Sequence, residues 1–158
     1  MTVIRNIRAA DLPAVMEIER EAIHPPWTEG ALLAEIGHAD SIFLVAEAQT
    51  RVLGFILLRA GLDEAELYQI AVRHEARGQG IGAQLMTAAL QNAAGRGTVA
   101  VFLEVREGNA EARRLYTRYR FREINVRKDY YSHPTENAVV MKMEMGDSGA
   151  HTFSGDIL

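Results

Sequence analysis

Cysteine is absent from the 158-residue sequence, and histidine occurs only five times, without regular spacing. The absence of cysteine excludes disulfide bonds, a thiol nucleophile and thiolate metal sites. The histidines are too scattered to show the spacing of metal ligands, so we expect no metal in the chemistry. They are His24, His38, His74, His133 and His151.

Long uncharged runs are also missing. No segment approaches the roughly 20 apolar residues that a membrane-spanning helix needs. The first residues carry no apolar segment of the kind that follows the basic start of a secretion signal. We therefore expect a soluble, cytoplasmic protein that does not act at a membrane.

A surplus of positive charge is missing too. The formal net charge is −4, and even the most basic run, residues 113–128, is interleaved with acids. Proteins that bind nucleic acids usually carry a basic stripe that offsets the phosphate charge. We expect no direct contact with nucleic acid, whereas a basic peptide would be attracted.

Length and composition allow one buried core, because the chain has 158 residues and 48% of them are hydrophobic. Hydrophobic patterning predicts one domain over residues 1–146 and a mobile tail over residues 147–158. The predicted strands are 3–8, 42–46, 52–58, 67–72, 98–105, 124–130 and 138–145; the predicted helices are 12–23, 29–36, 81–94 and 110–119. This order predicts an α/β (α+β) fold with one mixed, twisted sheet and helices on both faces.

Residues at the predicted helix ends support these boundaries. Asp11, Thr28 and Asn109 stand where N-caps are expected. The prolines after His24 end the first helix, since a proline ring cannot continue it.

A glycine-rich turn separates the fourth predicted strand from the third helix; it reads Arg77, Gly78, Gln79, Gly80, Ile81, Gly82. Glycines let several backbone N–H groups converge, and the helix adds the positive end of its dipole. Hydrogen bonds to charged groups contribute roughly 1.5–3 kcal/mol each, so this turn could hold a pyrophosphate, with Arg77 adding charge. The alternative is a turn that only changes the chain direction.

The same turn satisfies a loose dinucleotide-binding pattern, Gly78-x-Gly80-x-x-Ala83, with Glu104 near the position of a ribose-binding acid. Residues 73–76 argue against that interpretation, because a dinucleotide turn follows its strand at once. The chain also ends in a strand pair rather than in further strand–helix units. A Walker-type phosphate loop is excluded, because no Lys-Ser or Lys-Thr follows the glycines.

The pattern Arg77-x-x-Gly80-x-Gly82 after a strand resembles the acetyl-CoA pyrophosphate loop of the GCN5-related N-acetyltransferases (GNAT), whose order of elements is the same. The resemblance covers nearly the whole chain before the tail. Other motifs are similar to the RimI-type ribosomal-protein-alanine N-acetyltransferases: 25–28 (PPWT), 66–72 (ELYQIAV), 103–110 (LEVREGNA), 115–116 (LY), 129–131 (DYY) and 138–141 (AVVM). The resemblance implies transfer of acetyl from acetyl-CoA to the N-terminal amine of a protein, expected to be the N-terminal alanine of a small-subunit ribosomal protein.

Two residues receive catalytic roles from this resemblance. Glu104 shares a strand face with Ala100 and Phe102 by period-2 alternation, and a carboxylate beside apolar neighbours is costly to ionise. A solvated glutamate at a strand end would fit the pattern as well. The resemblance makes Glu104 the general base, directly or through water, and Tyr116 the acid that protonates the CoA thiolate, although spacing alone favours a core aromatic at Tyr116.

Other residues receive binding roles in the same way. Asn109, on the same helix face as Tyr116, is expected to hold the cofactor arm. Backbone groups of Ile70, Ala71 and Val72 are expected to bind pantetheine. By the same likeness, Pro26, Trp27, Tyr130 and Tyr131 border the peptide channel, though a plain turn and a half-exposed strand end explain them equally well.

The acceptor is the least determined part. Deprotonating a terminal α-amine at neutral pH costs roughly 1 kcal/mol, against roughly 5 kcal/mol for lysine, so a single carboxylate suits the α-amine. A lysine side chain or a small amine remains an alternative, as does a CoA-binding regulatory module without turnover, which the pair Glu104 and Tyr116 disfavours. Departures from the family include Asp129 for asparagine, Ile23-His24 at the substrate loop, and Arg120 for a glycine, which is expected to disfavour a left-handed helix cap.

Overall fold

Seven strands and four α-helices follow one another in the predicted order. The computed structural model describes residues 1–146, so the predicted tail, 147–158, lies outside the described residues. The strands are β1 (Val3–Asn6), β2 (Ser41–Ala48), β3 (Arg51–Ala60), β4 (Glu64–Val72), β5 (Ala100–Arg106), β6 (Arg122–Tyr131) and β7 (Glu136–Glu144). The helices are α1 (Leu12–Ala22), α2 (Glu29–Glu35), α3 (Ile81–Gly95) and α4 (Ala110–Arg118).

The strands form one mixed sheet in the order β1-β2-β3-β4-β5-β7-β6. Neighbouring strands are antiparallel except β4 and β5, which run parallel. The connection between these two contains α3, as expected because a parallel pair needs a crossover. The mixed sheet with flanking helices confirms the predicted fold.

Each face of the sheet buries its own hydrophobic cluster. On one face, α3 and α4 pack over the sheet; the α3 stripe predicted from the sequence is buried and comprises Ile81, Leu85, Met86, Ala89, Leu90 and Ala93. On the other face, α1 contributes Val15 and Ile18, and α2 contributes Leu32, all three fully buried. A fully buried aliphatic side chain contributes roughly 1.5–3 kcal/mol, which fixes the helices on the sheet. Within residues 1–146, no helix combines the length and apolar composition needed to cross a membrane.

Two predicted N-caps act through their side chains. The Thr28 hydroxyl accepts the N–H of Ala31 at 3.1 Å, and the Asn109 Oδ1 accepts the N–H of Ala112 at 3.1 Å. The cap engages only the Oδ1 of Asn109, so its Nδ2 group takes no part in capping.

Asp11 precedes α1 as predicted, but its carboxylate does not cap that helix. It accepts the backbone N–H of Arg8 at 2.7 Å and two guanidinium hydrogen bonds from Arg5 at 2.8 and 2.9 Å. The Arg5 side chain holds the pKa of Asp11 below its usual value. Asp11 therefore fastens β1 to the start of α1.

The end of α4 contradicts the expectation for Arg120. This residue adopts the left-handed conformation, with φ of +68°. The N–H of Phe121 donates to the carbonyl of Tyr116 at 3.1 Å, and that of Arg120 donates to Thr117 at 3.0 Å, which together form a Schellman cap. These bonds and the burial of Phe121 offset the roughly 1–2 kcal/mol that a left-handed non-glycine residue costs.

Candidate active site

The parallel pairing of β4 with β5 stops halfway along both strands. The pairs run from Glu64 opposite Ala100 to Leu67 opposite Leu103, and beyond them β4 pairs only with β3, and β5 only with β7. The backbone of Ile70–Val72, predicted to bind pantetheine, therefore has no strand partner on its β5 side. The strands diverge toward their carboxyl ends, where ligands bind in open α/β sheets.

A β-bulge in β4 lies at the point of divergence. Leu57 pairs with Gln69 and Leu58 with Leu67, so Tyr68 has no partner on β3. The extra residue reverses the alternation along β4: Leu67 packs in the α3 cluster, whereas Ala71 packs in the α1 cluster. Sequence reasoning missed this bulge, because the residues around it show no local sign of an inserted position.

The glycine turn follows β4 after a short 3-10 turn at His74–Ala76. Gly78 and Gly80 adopt φ values of +77° and +80°, and nothing lies within 4 Å of the Cβ that either residue lacks. Helix α3 begins at Ile81 with Gly80 as its N-cap, and no side chain caps its first N–H groups. The turn thus offers free backbone donors at a positive helix end, as an anion site requires.

The other residues of the turn are either exposed to solvent or face α4. Arg77 and Gln79 are exposed, and the Arg77 Nε donates to the carbonyl of Val72 at 3.1 Å. At Gly82, an added Cβ would lie 3.8 Å from Leu115 of α4. The start of α3 therefore lies directly beneath the helix that carries Tyr116.

Glu104 lies on β5 just beyond the last pair with β4, and its side chain is 22% exposed. It shares a cleft with Phe102, as the alternation predicts. The sheet also brings charged groups to it: the Arg127 Nη2 of β6 lies 3.5 Å from the Glu104 Oε1. Burial, together with the nearby Glu104 charge, raises the pKa of Glu66 on β4. Glu104 therefore has a cation and a second carboxylate beside it as well as apolar neighbours.

The paired tyrosines of β6 adjoin Glu104. Their rings pack edge to face, with 5.1 Å between the centroids of Tyr130 and Tyr131. The Arg127 guanidinium lies 5.5 Å from the Tyr130 ring centroid, and that of Arg106 lies 4.3 Å from the Tyr131 centroid. A hydrogen bond to Glu104 raises the pKa of Tyr130; burial, followed by the Glu104 charge, raises that of Tyr131.

Tyr116 is both a core aromatic and a neighbour of this group. The residue is buried, and its ring centroid lies 5.8 Å from that of Phe121. Burial raises the pKa of Tyr116, with a smaller contribution from Tyr131. A phenol with a raised pKa keeps its proton at neutral pH, as a proton donor must.

The segment between α1 and α2 contains Pro26 and Trp27. The Trp27 ring packs against Tyr68 at the bulge, with 5.7 Å between centroids, while Pro26 is exposed. The Arg106 Nη2 donates to the carbonyl of His24 at 3.3 Å. The segment predicted to border the peptide channel is therefore tied to both diverging strands.

A cleft of about 390 Å³ opens beside Glu104. Its lining includes Arg59, Glu66, Tyr68, Phe102, Glu104 and Arg127. Of these, sequence reasoning assigned a role only to Glu104. Glu64 and Glu66 alternate with apolar residues along β4, and this pattern could have indicated a second carboxylate on the face that carries Glu104. Arg127 reaches the cleft because β6 pairs with β7, and no local sequence pattern reveals that pairing.

A larger groove, of about 700 Å³, lies between α4 and β6 and includes Arg113, Arg114 and Arg118 in its lining. None of the predicted catalytic or binding residues lines it. The smaller cleft, where Glu104 meets the diverging strands, is therefore the candidate active site.

Comparisons with known proteins agree with this geometry. The profile of the acetyltransferase (GNAT) family matches residues 12–121. The [ribosomal protein bS18]-alanine N-acetyltransferase of Haemophilus ducreyi is 36% identical over 143 residues, which are 89% of this chain and 98% of that protein. The crystal structure of the Escherichia coli ribosomal-protein-alanine N-acetyltransferase has a TM-score of 0.87 and 29% identity, covering 98% of this chain and 100% of that chain. Ard1 from Thermoplasma volcanium has a TM-score of 0.86 and 28% identity, covering 92% of this chain and 99% of that chain.

The matched profile contains β4, the glycine turn and Glu104, so it covers the divergent strands as well as the core. The resemblance inferred from the sequence motifs is confirmed. The chain belongs to the acetyltransferase (GNAT) family and is an N-acetyltransferase.

Proposed function

We propose that the enzyme acetylates the N-terminal α-amine of a protein, and that this protein is ribosomal protein bS18 beginning with alanine. The observation that carries the proposal is the Haemophilus ducreyi relative, which is named for this acceptor and is 36% identical across 89% of the chain. The cleft supports the assignment, because its lining has more carboxylates than guanidiniums and would attract a positively charged chain terminus: Glu64, Glu66 and Glu104 against Arg59 and Arg127.

The residues around the divergent strands fit acetyl-CoA. The open turn at Gly78 and Gly80, with the uncapped N–H groups of α3, suits the pyrophosphate. The backbone of Ile70–Val72, which has no strand partner on its β5 side, offers strand-type hydrogen bonds to the amides of pantetheine. The Arg77 guanidinium and the Asn109 Nδ2 add polar contacts. The bound co-substrate supplies an acetyl thioester, which is already activated toward amines.

In the proposed reaction, Glu104 takes a proton from the acceptor amine, directly or through water. The amine nitrogen attacks the thioester carbonyl; the C–N bond forms, the C–S bond breaks, and the electron pair leaves on sulfur. Tyr116 donates its phenolic proton to that sulfur and is reprotonated from solvent, while Glu104 releases its proton to solvent. Tyr116 enters each turnover protonated, because a tyrosine phenol, with an ordinary pKa of about 10, keeps its proton at neutral pH.

The acceptor is tested with peptides and mass spectrometry. We expect a peptide with the bS18 N-terminus and a first alanine to be acetylated at its α-amine faster than the same peptide starting with serine or methionine. An α-blocked peptide with an internal lysine should yield no product, because deprotonating lysine costs roughly 5 kcal/mol at neutral pH. Acetylation of the lysine or of a small amine alone would replace the proposed acceptor. Tight CoA binding without any product would indicate a regulatory module.

The glycine turn is tested by Gly80→Ala. We expect the KM for acetyl-CoA to rise by about tenfold, because alanine at a positive φ costs roughly 1–2 kcal/mol and displaces the backbone donors. Initial rates at varied acetyl-CoA measure this effect. Gly95→Ala is the matched control: it lies in the same helix, its φ is not positive, and nothing lies within 4 Å of an added Cβ. The control should keep the KM and gain a little stability against urea; an unchanged KM in Gly80→Ala would exclude the turn from cofactor binding.

A further inference from the structure

A fully buried carboxylate lies on α1, outside the groups that the proposed reaction uses. Glu19 is 0% exposed. Its Oε1 accepts the backbone N–H of Trp27 at 2.9 Å and the side-chain Nε2 of Gln69 at 2.9 Å. In residues 1–146, the only buried side-chain polar atoms without a hydrogen-bond partner are the Glu19 Oε2 and the Gln69 Oε1. The two orphaned oxygens thus belong to side chains that already touch each other.

No cation in the described part of the chain balances Glu19. Arg73, which follows β4, directs its Nε to the Val52 carbonyl at 2.7 Å and its Nη1 to Glu17 at 3.1 Å. The other charged or titratable side chains of α1 are Arg20 and Glu21, both exposed, and Glu21 accepts the N–H of His74. His24, in the segment after α1, is exposed, and β4 carries Glu64, Glu66 and Tyr68, which line the cleft. An ionised Glu19 would therefore be a buried charge without a counter-ion, which is costly.

The position of the Gln69 amide is fixed by the same contacts. Exchanging its nitrogen and oxygen would bring an acceptor oxygen against the Glu19 Oε1 and leave the NH₂ group without that partner. In the observed orientation, both orphaned atoms are acceptor oxygens, so what they lack is a proton to share. Burial also raises the pKa of Glu19, and the hydrogen bonds from Trp27 and Gln69 only partly oppose it.

We propose that Glu19 is held as the neutral acid and forms a two-bond ring with the Gln69 amide, which positions the Trp27 segment beside the acceptor cleft. In this ring, the Gln69 Nε2–H donates to the Glu19 Oε1, and the Glu19 Oε2–H donates to the Gln69 Oε1. Every polar atom of both side chains near the contact then has a partner, as buried polar groups require.

The ring joins three parts of the active site. Gln69 directly follows the bulge and precedes the β4 backbone proposed to hold pantetheine. Glu19 also binds the N–H of Trp27, whose ring packs on Tyr68 in the cleft lining. Glu19 is thus a positioning residue for the acceptor, and this role rests on the proposed function. The protonated ring itself does not depend on the proposed function.

The protonation state is tested on the full wild-type chain without substrates, by NMR of ¹³C-labelled glutamate. The Glu19 carboxyl resonance is identified by its absence in Glu19→Gln, and we expect it to keep the chemical shift of a neutral acid at pH 7. Glu17→Gln, on the same helix, is the matched control, because its carboxylate is largely exposed. A Glu19 resonance at the position of an ionised carboxylate at pH 7 would overturn the proposal.

The pH dependence of unfolding gives a second test. Because the pKa of Glu19 is raised in the folded state, its neutral form contributes fully to the free energy of unfolding at pH values below the ordinary pKa of 4.5. That contribution is lost as the pH rises from 4.5 through the pKa of the folded state. Glutamine keeps the ring without titrating, so Glu19→Gln should gain stability relative to wild type as pH rises above about 4.5. Equal pH dependence of both proteins in urea unfolding would count against the ring.

The positioning role is tested by peptide kinetics. Glu19→Ala should raise the KM for the acceptor peptide by about tenfold and leave the KM for acetyl-CoA unchanged, while Glu19→Gln retains the wild-type KM. The exchange Glu19→Gln with Gln69→Glu restores one acid and one amide and should also retain it. If Glu19→Gln shows the same rise as Glu19→Ala, the ring does not position the acceptor. If wild type acetylates no peptide, the proposed function fails, and the NMR result still decides the ring.

Discussion

Replacing Glu104 by glutamine is expected to lower kcat by at least about a hundredfold, the usual contribution of a general base. Glutamine keeps the size of the side chain but cannot accept the amine proton. The KM for acetyl-CoA should not change, since the contacts proposed for the cofactor lie on β4, α3 and α4. The fold should persist because the lost partner, Arg127, is 52% exposed, and such pairs contribute at most about 1 kcal/mol. Initial rates at varied acetyl-CoA and saturating acceptor peptide measure kcat and the KM. Circular dichroism checks that the fold persists.

Glu66→Gln is the matched control, because Glu66 lines the same cleft and faces the same Arg127. We expect its effect to fall mainly on the KM for the acceptor peptide, since it contributes charge rather than proton transfer. Wild-type kcat in Glu104→Gln at neutral pH would remove Glu104 as the base. A full loss of kcat in Glu66→Gln alone would transfer that role to Glu66.

Replacing Tyr116 by phenylalanine is expected to lower kcat by about a hundredfold. The ring and its contact with Phe121 remain, so the free energy of unfolding should change little, while the thiolate leaves without a proton donor. The rate should then depend strongly on the acidity of the leaving thiol. An acetyl thioester of a more acidic thiol should therefore restore part of the rate in the variant and change the wild-type rate little.

Tyr119→Phe is the control on the same helix end. Its hydroxyl hydrogen-bonds to the Ala83 carbonyl at 2.7 Å and to the Thr87 hydroxyl at 2.7 Å. Its loss should lower the free energy of unfolding by roughly 1 kcal/mol and leave kcat unchanged. A wild-type rate in Tyr116→Phe would return Tyr116 to a purely structural role in the core.

The order of the elements could be predicted because its signals are local. Apolar periodicity identified α3 and its buried stripe, and the caps Thr28 and Asn109 followed from residue type and position. Asp11 and Arg120 show the limit of such signals. Hydrogen bonds from Arg5, six positions earlier on β1, redirect the Asp11 carboxylate. The burial of Phe121 imposes on Arg120 a conformation that its own side chain disfavours.

Sequence reasoning could propose a candidate site only where it coincides with motifs. The glycine turn and Glu104 are local features, and the family likeness added Tyr116 and the paired tyrosines. The Arg127 contact of Glu104 depends on how β6 pairs with β7, and the Glu19 contact with Gln69 spans 50 positions of sequence. Such pairs depend on strand register and helix docking, which a single sequence does not encode in any short pattern.

The gap where β4 and β5 stop pairing, called here the open seam, would make the folding stability of this protein depend on its co-substrate. A ligand that binds only the folded state adds about 2.7 kcal/mol at a hundred times its Kd. On the proposed function, acetyl-CoA fills the seam and supplies the hydrogen bonds that β5 does not. Without acetyl-CoA, the enzyme would lose this contribution and unfold more often.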